Sequence, residues 1–115
     1  MSNTEQLEIF TETLDGGTIV RPVGDIDLSG APALRQELKQ AQEAAPDRVI
    51  VDLSEVPYMD SSGLATLVEA MQIARKNQGT LIICALQAKV RSIFEIARLD
   101  MVFKIADTRE DAMTL

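Results

Sequence analysis

The spacing of hydrophobic positions changes several times along the chain, and each change marks an element. In "LEIFTETL", Leu7, Ile9 and Thr11 lie two residues apart, the period of a half-buried strand. "DGG" at 15–17 predicts a hairpin turn, because both central positions tolerate positive φ. "TIVRPVG" is a second strand, antiparallel to the first, in which Pro22 lacks an N–H and suits an edge or a bulge. The spacing then lengthens. In "GDIDLSGAPALRQELKQAQEAA", Leu34, Leu38 and Ala41 or Gln42 keep a helical repeat, with Asp27 or Ser29 as the cap and Pro32 in the first turn. "DRVIVDLSEV" has an unbroken apolar centre, Val49 to Val51, as a buried central strand does. "YMDSSGLATLVEA" opens a second helix, which Gly79 ends. "TLIICAL" is another buried strand, and "AKVRSIFEIARLD" a helix with Val90, Ile93, Phe94 and Ala97 on one face. "MVFKIA" is a short last strand. "DTREDAMTL" is a C-terminal helix, with Asp107 or Thr108 at its cap and Glu110 in a capping-box position.

This order, ββαβαβαβα, implies a mixed, mostly parallel sheet of about five strands with about four helices packed on it. The chain is read as a single α/β domain over 1–115, with no internal repeat and no linker.

On a helical projection of the second helix, Leu64, Leu67, Val68 and Met71 form the core stripe. Ser62, Thr66, Glu69 and Ile73 point the other way, with Ala65 and Ala70 on the flanks. An outer face of small residues plus Ile73 is a candidate docking surface. At the start of this helix, Asp60 or Ser61 can act as N-cap and Gly63 allows a tight strand–helix turn. The same geometry permits a switch. Loops at the carboxyl ends of parallel strands gather on one rim, so a serine there is accessible. A phosphate on it, carrying about −1.5 to −2 charge, would lie near free amides and the positive end of the helix dipole. Helical geometry alone does not separate Ser61 from Ser62.

Composition narrows the function. The chain has 115 residues, a formal net charge of −7 and 3% aromatic residues. That disfavours nucleic acid and anionic membrane surfaces, and suits a basic partner. There is no histidine, so no Ser-His-Asp triad, Cys-His pair or His-ligated metal can form. With no phosphate-binding loop motif either, neither an enzyme nor a cofactor is expected. Asp25, Asp27 and Asp60 could meet on one rim, but no ligand spacing specifies a metal, and none is expected. The one cysteine, Cys84, lies in the apolar run "LIICAL" and reads as a small buried hydrophobe. No signal peptide and no apolar run near the length of a membrane span is visible, so a cytoplasmic protein without membrane insertion is expected.

"GDIDLSGAPALRQEL", "VIVDLSEVPYMDSSGLATLVEA" and "LIICALQAKVRSIFEIARLDMVFKI" together resemble the STAS domain, the sulphate-transporter and anti-sigma-factor-antagonist family. The resemblance runs from about Leu7 onward and is most specific in "VDLSEVPYMDSSGL". With no transporter attached, the chain is most similar to a free-standing bacterial anti-sigma factor antagonist. That implies a protein whose unphosphorylated form binds a serine-kinase anti-sigma factor, a GHKL-type ATPase, and frees a sigma factor. The kinase phosphorylates the antagonist, and a PP2C-type phosphatase reverses this. The family's acceptor is the serine directly after the Asp, here Ser61, with Ser62 as its neighbour. The acid after the second strand matches Asp27. Taken with the outer face of the second helix, the candidate partner surface comprises Asp27, Asp60, Ser61, Ser62, Gly63, Thr66 and Ile73. Asp25 departs from the glutamate usual in "GDID". An alternative implication is a STAS subunit of a membrane transport complex, binding its ATPase subunit.

Overall fold

The computed structural model describes residues 6–44 and 46–115; the start of the chain and Ala45, the last residue of the first predicted helix segment, lie outside them. Five strands form one sheet in the order β1-β2-β3-β4-β5. β1 (Glu8–Leu14) and β2 (Gly17–Val23) pair antiparallel, while β3 (Arg48–Asp52), β4 (Thr80–Cys84) and β5 (Lys104–Ala106) add in parallel. The helices are α1 (Ala31–Glu43), α2 (Ser61–Lys76), α3 (Ala88–Ile96) and α4 (Arg109–Thr114). The predicted order is therefore the observed one. No helix among the described residues is long and apolar enough to cross a membrane.

Alternation along the strands divides the core between the two faces of the sheet. One face carries Val20, Val49, Val51, Leu81 and Ile83, covered by Leu34 and Leu38 of α1, Leu67 and Met71 of α2, and Val90 and Phe94 of α3. The other carries Ile19, Ile50, Ile82 and Cys84, covered by Ala112 of α4. Crossovers of one hand, right-handed as a rule, put α1 to α3 on the same face, and among the described helices α4 packs on the second. It is held from both ends of β3. Arg48 donates to the carbonyls of Ala112 and Met113 at the end of α4. Asp52, four residues on and on the same face, accepts from Arg109 Nη2 at 3.0 Å at its start. Cys84 is buried as expected, and apolar burial pushes its thiol up to about 12.

Several local expectations change. Only Gly16 of the hairpin turn has a left-handed φ, +87°; Asp15 does not. Pro22 lies in an interior strand, not at an edge or bulge. It is tolerated because the β2–β3 ladder ends at Val20, so no neighbour needs its missing N–H. α1 begins after Gly30, without a side-chain cap, rather than at Asp27 or Ser29. α2 ends in a left-handed residue, but this is Gln78 at φ +61°, one before Gly79. The Gln78 and Gly79 amides return to the carbonyls of Arg75 and Ala74. The predicted strand "MVFKIA" keeps only its last three residues, because Leu99–Met101 form a 3-10 turn. Thr108 caps α4 by accepting from the Asp111 amide at 3.0 Å, so Asp111 and not Glu110 stands at the third position.

Candidate functional site

Beyond their ladder, β2 and β3 stay together as two irregular chains. The Gly24 amide bonds the Glu55 carbonyl, the Ile26 amide the Tyr58 carbonyl, and the Asp60 amide the Ile26 carbonyl, each at 3.0 Å. Gly24, at φ +116°, makes the bend that allows this. Ile26 and Met59 form an isolated parallel bridge, and both side chains are buried. The zipper fixes Asp27 beside Asp60 on the carboxyl rim of the sheet.

The two acids then build the same turn. "DLSG" at 27–30 and "DSSG" at 60–63 each lead into a helix. Asp27 Oδ1 accepts from the Ser29 amide at 3.0 Å, the Ser29 hydroxyl at 2.6 Å and the Gly30 amide at 3.3 Å. Asp60 Oδ1 accepts from the Ser62 amide at 2.9 Å, the Ser62 hydroxyl at 2.5 Å and the Gly63 amide at 3.4 Å. Asp60 is the N-cap of α2. These bonds, the serine hydroxyl's first, hold both carboxyls below the usual aspartate range. For Asp60, the neighbouring Asp27 charge pushes weakly the other way. The chain therefore does hold a short local repeat, against the expectation of none. Its signal was the spacing D-x-S-G twice, each time before a helix.

The duplication gives the two serines of "DSSG" different chemistry. Ser62 spends its hydroxyl on Asp60. Ser61 occupies the intervening position, is exposed, and its hydroxyl bonds no other described residue. In the first turn that intervening position is Leu28, which is 76% exposed. Tyr58, 42% exposed, lies on the same rim. Ser61 thus stands on a rim that also carries Asp27, Asp60 and the exposed side chains of Leu28 and Tyr58. Gly63 is needed for the close approach: a Cβ there would meet Met59 Cγ at 2.6 Å and Ile26 Cγ2 at 2.8 Å. Leu28 and Tyr58 were not among the predicted site residues: the zipper is needed to bring Leu28 to the Ser61 rim, whereas Tyr58, three residues before Ser61, was legible in the sequence.

Two predicted site residues fall outside this cluster. Thr66 is buried, and its hydroxyl donates to the Ser62 carbonyl at 2.9 Å within the helix. The projected faces of α2 are rotated from those expected: Thr66, Ala70 and Ala74 are buried, while Leu64 and Val68 are only half-buried. The cause is α1, which lies alongside α2. Gln42 reaches the Ala70 carbonyl at 2.8 Å, and Arg35 grips Glu69 with bonds of 2.6 and 2.9 Å. Ile73 is half-buried in a groove with Lys39, Gln42 and Asn77. It lies twelve residues along the helix from Ser61, about 18 Å at 1.5 Å per residue. Asp25 is exposed. Among the described residues no three carboxylates or thiols gather as metal ligands would.

The model of the STAS domain matches residues 8–112. The anti-sigma-B factor antagonist of Listeria monocytogenes is 34% identical over 103 residues, covering 90% of this chain and 81% of that protein. The anti-sigma-B factor antagonist of Bacillus subtilis is 33% identical over 91 residues, covering 79% and 83%. The crystal structure of an anti-sigma factor antagonist from Mycobacterium paratuberculosis superposes with a TM-score of 0.89 at 29% identity, over 99% of this chain and 97% of that one.

Proposed function

The chain belongs to the STAS domain family, and on that premise we propose that it is a cytoplasmic anti-sigma factor antagonist switched at Ser61. Its unphosphorylated form binds a serine-kinase anti-sigma factor of the GHKL ATPase type and releases the sigma factor. Phosphate on Ser61 ends that binding, and a PP2C-type phosphatase restores it. The protein itself supplies no catalysis.

The observation that carries this reading is the inequality of the two serines. A kinase needs a free hydroxyl. Ser61 offers one at the first turn of α2, whereas that of Ser62 is held by Asp60. Asp60, Ser62 and Gly63 hold that turn in place, Asp27 builds the matching turn beside it, and Leu28 and Tyr58 supply apolar area for docking. Thr66 and Ile73 have no part in this contact.

Magnitudes favour loss of binding over loss of fold. An anion at a helix N-terminus is worth about 0.3–1 kcal/mol, and repulsion from a water-exposed carboxylate about 4 Å away costs about 1 kcal/mol, so the two nearly offset and α2 stays intact. Against a partner carboxylate about 4 Å away the phosphate costs about 4 kcal/mol at an effective dielectric of 20. That is close to a thousandfold in affinity.

The test is incubation with the cognate kinase and Mg-ATP, followed by mapping of the phosphate. Modification of Ser61, lost in Ser61→Ala, is expected. Modification of Ser62 instead, or none, refutes the switch. Co-purification of transporter subunits, together with an unimpaired Ser61→Asp variant, would assign the chain to a transport complex.

A further inference from the structure

The rim opposite Ser61, at the amino ends of β4 and β5, carries chemistry that the proposed switch does not use. The end of α2 places Arg75 and Lys76 there, the turn after α3 places Arg98, and β5 begins with Lys104. Arg21, Arg35, Arg91 and Arg109 are each paired with a carboxylate. Among the described residues none of Arg75, Lys76, Arg98 and Lys104 has a carboxylate oxygen within 4.0 Å, although the exposed Glu95 and Asp100 lie in the same stretch. In a chain of net charge −7, this gathering of free cations runs against the average. The dipoles of α2 and α3 account for cations at positions 75, 76 and 98, but not for Lys104, which lines the same cavity as Arg75.

Apolar surface accompanies the charge. Ile96 is 84% exposed, Met101 80% and Val102 39%. Arg75 and Lys104 both line a cavity of about 260 Å³, floored by Met71, Ala74 and Leu81, with Val102 at its lip. This lies below the roughly 300–1,000 Å³ of small-molecule sites and suits one inserted side chain.

We propose that this rim is a second docking surface, which takes an acidic segment of a partner protein that inserts one large apolar side chain between Arg75 and Lys104. The charge selects carboxylates, and a cation beside a part-buried cavity bonds them more strongly than one in open water. β3 and β4 each span about 17 Å at ~3.3 Å per residue. That exceeds the roughly 8 Å screening length at physiological salt, so phosphate at Ser61 does not gate this surface. The proposal therefore stands apart from the Ser61 switch.

A fluorescent acidic peptide with one phenylalanine flanked by glutamates is a direct probe, read by anisotropy and by amide shifts of the labelled protein. Saturable binding is expected, with shifts in residues 71–81 and 98–104. The double variant Arg75→Glu, Lys104→Glu should weaken it at least tenfold while melting like the parent, and Ser61→Asp should leave it unchanged. No saturable binding by the parent overturns the proposal. So does equal binding by the double variant, or equal binding of a peptide with alanine in place of phenylalanine. Binding of the parent to phosphatidylserine vesicles, lost in the double variant, would assign the rim to a membrane instead and equally overturn it.

Discussion

One oxygen of Asp60, Oδ1, accepts both the backbone amide of Ser62 at 2.9 Å and its hydroxyl at 2.5 Å. The hydroxyl of Ser61, immediately before it, bonds no other described residue. Removing the two hydroxyls therefore has different consequences. Ser62→Ala should lower stability by about 1 kcal/mol, because a charge-assisted bond is lost. Ser61→Ala should stay within about 0.5 kcal/mol of the parent, as surface substitutions do. Urea unfolding of both variants checks this; equal losses would contradict it.

Gly63→Ala should destabilise more than either serine change. The added Cβ would come within 2.6 Å of Met59 and 2.8 Å of Ile26, both buried under the zipper between the two loops. Overpacking of this kind costs about 1–3 kcal/mol. Thermal melting should show the loss, and amide shifts should spread to Asp27 through Ile26.

Acid should weaken the fold. Burial opposes ionisation of Asp52, but the Ser54 amide and hydroxyl and the Arg109 guanidinium outweigh it, so its pKa lies below the ordinary 3.8. Asp60 is depressed by Ser62. A depressed carboxyl binds fewer protons folded than unfolded, so its stabilisation is present above about pH 4 and is lost as pH falls through the folded value. The urea midpoint should fall between about pH 5 and pH 3. In Asp52→Asn, which leaves Arg109 of α4 with only the longer pair to Glu12 at 3.6 Å, it should start lower and fall less steeply. A midpoint that is flat with pH in the parent would contradict this.

Gln78→Gly should stabilise the protein. Gln78 holds φ +61° at the end of α2, a conformation that costs an L-residue about 1 kcal/mol and glycine almost nothing. A gain of about 0.5–1 kcal/mol in urea unfolding is expected, with no change at the Ser61 rim.

Much of the molecule was legible in its sequence because the signals are local. Val49 to Val51 and the run "LIICAL" announce buried parallel strands, since a strand covered on both faces has no polar side to show. Asp60 preceding Ser61 announces a capped helix start for the same reason: a cap is settled within three residues. Strand–helix alternation with right-handed crossovers then allows few arrangements of the sheet. Even the D-x-S-G duplication was there to be read.

Tertiary structure decided what depends on a neighbour distant in sequence. A periodicity argument assumes one buried side per helix, yet α2 is covered by the sheet and by α1 together, which buries Thr66 and leaves Leu64 half-exposed. Ile73 looked like part of the Ser61 surface on a projection, which has no axial length; in space it is most of a helix away. The pairing of Ile26 with Met59 sets Asp27 and Leu28 beside Asp60 and Ser61 across more than thirty residues of chain. The two serines, alike in a projection, become different only when the Asp60 oxygen takes one hydroxyl and leaves the other free.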